Sequence, residues 1–490
     1  MISMMAMNAT EIQAQGVVPA QKGEKAFTLE DLNFGGNNYR NMVAKNRWCT
    51  WWGNELIHQD IEACYLVNKT TGKETKLFGI NDINQWIAPT KDIKVRALYN
   101  AQFPFAGKSI VMVSNGSKTY TVDFRQHRLI SELEFQEGEN LLEANTQQNA
   151  FAYLKGSNLY VRTFNAAPEN AMTKEKKSHD FQLSADGSRE IVYGQSVHRD
   201  EFGISKGTFW SPNGERLAFY RMDQNMVTDY PLVNIQEVSF QPEDGKSRIA
   251  TLAPEKYPMA GETSHKVTVG VFDTNTGKTV YLKAGDPTDR YFTNISWSPD
   301  DKTIYMFELN RDQNDCRLIS YDASTGEKTG ELYRETDAKY VEPLHPIVFL
   351  PWDNSSFLMQ SRKDGYNHLY LCSIGKSGSR MAGNTVSLEM KQITKGNWEV
   401  LDFLGFNAKR KGIIISSNEI SPIQCNIFFV DLKTGKRTRM DEGGKGWHSA
   451  SLSKSGQYIY DNYSEPNVPR NIAIVNVANG KCFSYFKADD

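Results

Sequence analysis

One short pattern, written five times along the chain, limits the available folds more than any other feature. An apolar stretch ends in Asp or Asn, two residues pass, Thr-Gly or Asn-Gly follows, and Lys or Glu opens the next stretch. The copies are Asn68 to Lys73, Asp273 to Lys278, Asp322 to Glu327, Asp431 to Lys436 and Asn476 to Lys481. This is hairpin chemistry: the Asp or Asn side chain caps the turn, and glycine takes the positive φ that closes it. Gly277 and Gly326 lie 49 positions apart, and Gly435 and Gly480 lie 45 apart, a period that suits one four-stranded propeller blade. A second repeat sits upstream of the hairpins: Trp210-Ser211-Pro212-Asn213-Gly214, Trp297-Ser298-Pro299-Asp300-Asp301 and the degenerate Leu452-Ser453-Lys454-Ser455-Gly456. Strict alternation over Val267, Val269 and Val271 marks a half-buried strand, and Ile427-Phe428-Phe429-Val430 reads as one buried on both faces. Helical periodicity is nearly absent.

The fold class expected is all-β, an eight-bladed β-propeller. Strand clusters place the blades at roughly 48–80, 95–135, 145–195, 205–285, 290–335, 345–395, 398–440 and 445–486. At about 150 residues per domain, the 490 residues would suggest three domains; the repeats replace that with one ring over 48–486. Blade four is too long, and the excess at 226–261, with Asp229-Tyr230-Pro231 and Tyr257-Pro258-Met259, reads as a projecting arm. Residues 1–25 read as a flexible leader, and 26–47 as a pre-propeller segment whose Thr28-Leu29-Glu30-Asp31 starts a short helix with a capping box.

Composition then excludes several functions. With 56 Lys and Arg against 58 Asp and Glu, the chain has no basic surplus, so nucleic acid is not an expected partner. No apolar run approaches the roughly 18 residues of a membrane span. The six cysteines, Cys49, Cys64, Cys316, Cys372, Cys425 and Cys482, have no metal-type spacing, so no structural metal is expected, and with no H-E-x-x-H, calcium-loop or dinucleotide fingerprint in the chain no cofactor is expected either. They read as buried free thiols or as one or two disulfides.

One Gly-x-Ser-x-Gly occurs, Gly203-Ile204-Ser205-Lys206-Gly207. A nucleophile elbow needs a strand before it and a helix after it, whereas polar residues precede this one and Pro212 follows. It reads as coincidence, so no catalytic residue is assigned. Gly277-Lys278-Thr279 likewise fails as a phosphate loop, because Phe272 stands where the first glycine is required. The eight histidines are scattered, although distant blades meet in a ring. One polar cluster stands out: His198-Arg199-Asp200-Glu201, between blades three and four. It reads either as a solvated linker or as a carboxylate site that attracts an ammonium group in a channel of low dielectric.

Several segments together resemble a known family. They are Phe209-Trp210-Ser211-Pro212-Asn213-Gly214 followed by Leu217 to Asp223, the arm with its two Tyr-Pro motifs, and Asp364-Gly365-Tyr366-Asn367-His368-Leu369-Tyr370. From about Phe27 to Asp490 the chain resembles the N-terminal propeller of the dipeptidyl peptidase IV family of serine exopeptidases, its bacterial branch with the prolyl tripeptidyl peptidases above all.

The resemblance implies an eight-bladed propeller that narrows access to a following α/β-hydrolase domain and acts on proline-containing peptides. That family holds the peptide N-terminus with two glutamates just before the Trp-Ser-Pro strand, which here makes Asp200 and Glu201 the substrate-binding candidates. The pair is Asp-Glu, and the adjacent Arg199 is expected to neutralise it in part. The arginine that the family supplies from blade two has no equivalent near Asn115. The family's nucleophile, acid and histidine follow the propeller, and 487–490 reads as the start of the crossover, so no peptidase activity is expected of this chain alone. Further expectations from the resemblance are a homodimer through the blade-four arm and a periplasmic or secreted location. The alternative is a stand-alone, non-catalytic propeller that binds protein or peptide.

Overall fold

The five repeated hairpins close in one way. In each, the glycine amide donates to the carbonyl of the leading Asp or Asn at 2.7–2.9 Å, and the glycine sits at φ between 67° and 74°. The side-chain Oδ1 accepts amides two or three residues on, as Asp322 does from Ser324 and Thr325, both at 2.9 Å. The Ser324 hydroxyl and these amides hold Asp322 below the usual carboxylate range, and the Thr434 amide does the same for Asp431. All five hairpins join the third and fourth strands of a blade.

The computed structural model describes residues 27–488 apart from 35, 40–41, 88–93, 165–177, 235–249, 376–386 and 442. The leader at 1–25 and the last two residues lie outside them. Eight antiparallel sheets follow one another along the chain, at 49–79, 110–134, 139–182, 191–281, 290–336, 348–392, 400–439 and 447–487, and form the eight blades of a propeller. Most are four strands paired in sequence order. Two small ladders, Asp229–Tyr230 with Glu255–Lys256 and Val233–Asn234 with Thr251–Leu252, form the arm of blade four.

Blade two departs from the pattern. Its strands are Ile110–Asn115, Lys118–Asp123 and Arg128–Glu134, and its first strand is reduced to the bridge between Gln102 and Met112. Asp123 caps its last turn through the amides of Arg125 and Gln126, both at 3.0 Å, so this is a sixth copy of the hairpin. His127 replaces the glycine at φ 53° and stacks on Trp86 at 4.7 Å. Trp86 belongs to the helix Ile80–Ile87, which buries Ile83 and Ile87 between blades one and two. Sequence periodicity misses this helix because eight residues supply barely two turns.

The Trp-Ser-Pro repeat has a separate purpose for each residue. Ser211, Ser298 and Ser453 accept, through Oγ, the amide five residues on at 2.9–3.1 Å, which fixes the turn between first and second strands. The tryptophans reach to the preceding blade: Trp210 Nε1 donates to Glu143 O at 3.3 Å and Trp297 Nε1 to Phe209 O at 2.9 Å.

Hydrophobic cores straddle neighbouring blades, and the ring closes the same way. Leu56 and Val67 of blade one pack with Tyr460, Ile472 and Ile474 of blade eight. Burying an aliphatic side chain of this kind contributes about 1.5–3 kcal/mol. The Lys454 amide donates to Gly53 O at 2.9 Å, and Tyr485 OH to Glu74 at 2.6 Å, across that seam. All six cysteines are free thiols, and burial pushes those of Cys64 and Cys372 up to about 12, which leaves them unreactive.

Candidate functional site

The first strand of blade four is broken in two. Ile191–Tyr193 and Thr208–Trp210 both pair with Arg216–Asp223, and the chain between them loops out. The break closes on one residue: the Gly194 amide donates to Tyr220 O at 2.8 Å, and the Tyr220 amide to Gly207 O at 2.9 Å. At this neck a Cβ on Gly207 would stand 2.0 Å from Gln195 O, so only glycine fits. The cluster His198-Arg199-Asp200-Glu201 therefore lies inside blade four, where the sequence reading had placed it between blades three and four. Its segment reads as a link because polar residues interrupt the apolar pattern, and only the two registers reveal one strand with an insertion.

The loop contains a left-handed turn. His198, Arg199, Asp200 and Phe202 have φ of 54°, 58°, 63° and 58°, with Gly203 at 71° and Glu201 extended between them. Each non-glycine residue there costs roughly 1–2 kcal/mol, so its surroundings must enforce the conformation. Two inward side chains do so. Phe202 packs on Tyr291 with ring centres 5.0 Å apart, and its carbonyl accepts Asn294 Nδ2 at 3.1 Å. His198 is buried, with Nε2 accepting the Phe292 amide at 3.2 Å and Nδ1 lying 3.0 Å from His265 Nε2. Since Nε2 of His198 is an acceptor, Nδ1 carries the proton and donates to His265, and both rings are neutral. Burial, then His265 and Arg311, hold the His198 pKa well below its usual value. Burial, with Arg311 and Arg199, brings His265 down to about 4.

This anchoring leaves Arg199, Asp200 and Glu201 exposed. Asp200 accepts the Ser196 hydroxyl. The Glu201 carbonyl accepts the Ile204 amide at 3.1 Å, but its side chain makes no hydrogen bond or ion pair among the described residues, so the carboxylate is free to take a cation. Arg199 does not neutralise the pair: it donates to Glu255 of the arm at 2.7 Å and lies over the Tyr257 ring. Arg311, stacked on Tyr291 at 4.6 Å, also has no carboxylate partner among the described residues and adds a positive charge beside the turn. The pair of histidines was hidden in the sequence, since His198 and His265 are 67 residues apart.

The Gly-x-Ser-x-Gly stretch has a steric explanation here. Gly207 forms the neck, and a Cβ on Gly203 would meet Leu344 O at 2.1 Å. Ser205 between them is exposed, with no histidine within hydrogen-bond reach among the described residues. No group of His, Cys, Asp and Glu able to hold a metal occurs among the described residues.

Comparison with known proteins agrees with this architecture. Residues 113–470 match the dipeptidyl peptidase IV (DPP IV) N-terminal region. A probable dipeptidyl-aminopeptidase B of Phaeosphaeria nodorum is 26% identical over 391 residues, covering 74% of this chain and 41% of that protein. A dipeptidyl aminopeptidase IV-type crystal structure from Bacteroides ovatus is 40% identical with a TM-score of 0.80, over 94% of this chain and 62% of that one. The dipeptidyl peptidase 4 of Porphyromonas gingivalis, 19% identical, shares the fold with a TM-score of 0.68 over 95% of this chain and 62% of its own. The chain thus spans less than two thirds of the length of these relatives. With the match running over most of the ring and through the broken strand of blade four, the chain belongs to the dipeptidyl peptidase IV N-terminal region family.

Proposed function

We propose that this propeller gates access and docks the peptide N-terminus for a dipeptidyl peptidase IV-like serine exopeptidase acting on proline-containing peptides. The names of its relatives, dipeptidyl-aminopeptidases and a dipeptidyl peptidase, support the reaction class. The observation that carries the docking role is the left-handed turn: it spends conformational energy to present Asp200 and an unpaired Glu201. Strain of this kind concentrates at ligand clamps. A peptide ammonium group would take Glu201 directly and Asp200 beside its hydroxyl partner, as charge-assisted hydrogen bonds. The bond cleavage itself belongs, in this reading, to an α/β-hydrolase domain that works with the propeller.

The same reading places a second copy on the arm, whose Leu232, Val233, Leu252 and Met259 are exposed. It also places the protein in the periplasm or outside the cell. Among the described residues no helix is long and apolar enough to cross a membrane.

Calorimetric titration with Ala-Pro-Ala and its N-acetylated form tests the docking role. Binding of the free peptide should exceed that of the acetylated one, and Glu201→Gln should weaken it by about tenfold or more, the worth of one charge-assisted bond. Equal affinity for both peptides would overturn the assignment.

A further inference from the structure

Of the four residues that the backbone of the docking turn disfavours, one reaches away from it to the arm. Arg199 lies at φ 58°, where glycine or asparagine would cost least. Its side chain leaves the turn altogether. Nη1 donates to Glu255 Oε1 at 2.7 Å, and the guanidinium sits 5.0 Å from the centre of the Tyr257 ring. Both partners belong to the arm, 56 or more residues further along the chain. The root of the arm is tied to the blade by a different arginine: Arg189 binds Asp229 at 2.5 Å and Pro254 O at 2.8 Å. Within the root of the arm, Lys256 donates to Val227 O at 2.8 Å. The arm is therefore held to its blade by Arg189 and to the turn by Arg199.

We infer that Arg199 is a positioning residue that couples the arm to the docking turn, so that the placement of the arm sets how Asp200 and Glu201 are presented. The inference rests on the docking role proposed above. An exposed ion pair is weak by itself, and a cation over an aromatic face adds a comparable amount. Acting on a turn already held against its backbone preference, such a pair shifts the balance between ordered and open forms without locking it. Any partner that moves the arm would change the turn through the same contact.

Amide hydrogen exchange on the 490-residue chain provides the test. The reporters are Asp200 and Ile204, whose amides donate to Val197 O and Glu201 O, each at 3.1 Å. Arg199→Asn removes the cation and keeps a residue that tolerates the left-handed region; Glu255→Gln removes the partner. Each should speed exchange at both reporters by about threefold to tenfold, the double variant should do no more than either single one, and Arg199→Lys should recover part of the protection. Ala-Pro-Ala should bind Arg199→Asn and Glu255→Gln more weakly by the same factor. Unchanged exchange, or effects that add in the double variant, would overturn the coupling. If the reporters loosen but Glu201→Gln leaves peptide affinity intact, the docking role fails and the coupling stands. If Glu201→Gln abolishes binding and both arm variants bind like the parent, the coupling fails and the docking role stands.

Discussion

Blades four and five begin from the same plan and treat their first strand differently. In blade five, Arg290–Trp297 runs unbroken along Thr303–Asn310, apart from a register shift between Thr293 and Ser296. In blade four the corresponding strand opens at Gly194 and closes at Gly207, and the turn grows out of the gap. The small irregularity serves the large one, because Asn294, at φ 55° inside the blade-five bulge, donates to Phe202 O at 3.1 Å and to Pro343 O at 2.6 Å. A propeller blade can thus surrender the middle of a strand to an inserted turn when its neighbour replaces the lost anchoring.

The sharpest way to break this contrast is at the neck. Gly207→Ala places a Cβ against Gln195 O and should cost about 2–4 kcal/mol, measured by chemical denaturation, with the loss of protection centred on 195–206. A variant as stable as the parent would mean that the gap tolerates a wider mouth. Removing the neighbour's support comes next. Asn294→Gly keeps the left-handed backbone free of strain and deletes the donor to two buried carbonyls; about 1–3 kcal/mol should be lost, and the turn should loosen before blade five does. Loosening of blade five first would mean that blade five depends on the turn and not the reverse.

The smallest effect is the response to acid. The folded state keeps His198 and His265 neutral below the usual histidine pKa of about 6.5, so the unfolded chain binds protons that the folded one refuses. Their contribution is whole above pH ~6.5 and falls as the pH drops toward 4. Blade five answers later. Hydrogen bonds from Arg334, then Arg317, outweigh burial and bring Asp315 down to about 2, so its contribution holds until the pH passes below the free carboxylate value of ~3.9. Exchange measured between pH 7 and 4 should show the turn loosening while blade five keeps its protection. Parallel loss in both blades would remove the histidine pair as the cause.

Much of the ring was legible residue by residue, because its signals are local. An Asp or Asn capping amides two or three positions on, a glycine at positive φ and a serine accepting from five positions on are all written within one turn of chain. The same locality explains two gaps. The blade-two hairpin escaped notice since His127 stands where glycine is expected, and its compensation, the stack on Trp86, comes from a helix elsewhere in the chain. The turn in blade four read as a link between blades, because nothing adjacent to Tyr193 states that Thr208 resumes the same strand. Asp200 and Glu201 stand out in the sequence as part of a polar cluster, and the resemblance makes them a peptide-binding pair that Arg199 would offset; the contact with Glu255 that turns Arg199 away comes from the arm.

Sequence alone determined the architecture: the hairpin and Trp-Ser-Pro repeats, each stabilised by bonds within a few residues, specify strands and turns wherever they occur, and their spacing specifies a propeller. Tertiary structure decided the site. Whether a left-handed turn survives depends on His265 of the same blade and on Asn294 and Tyr291 of blade five, which arrive from 67 to 93 residues away and, for the latter two, only once the blades have packed. Local propensity opposes that turn at four positions, so its conformation is a property of the assembled ring, and with it the direction in which the two carboxylates face.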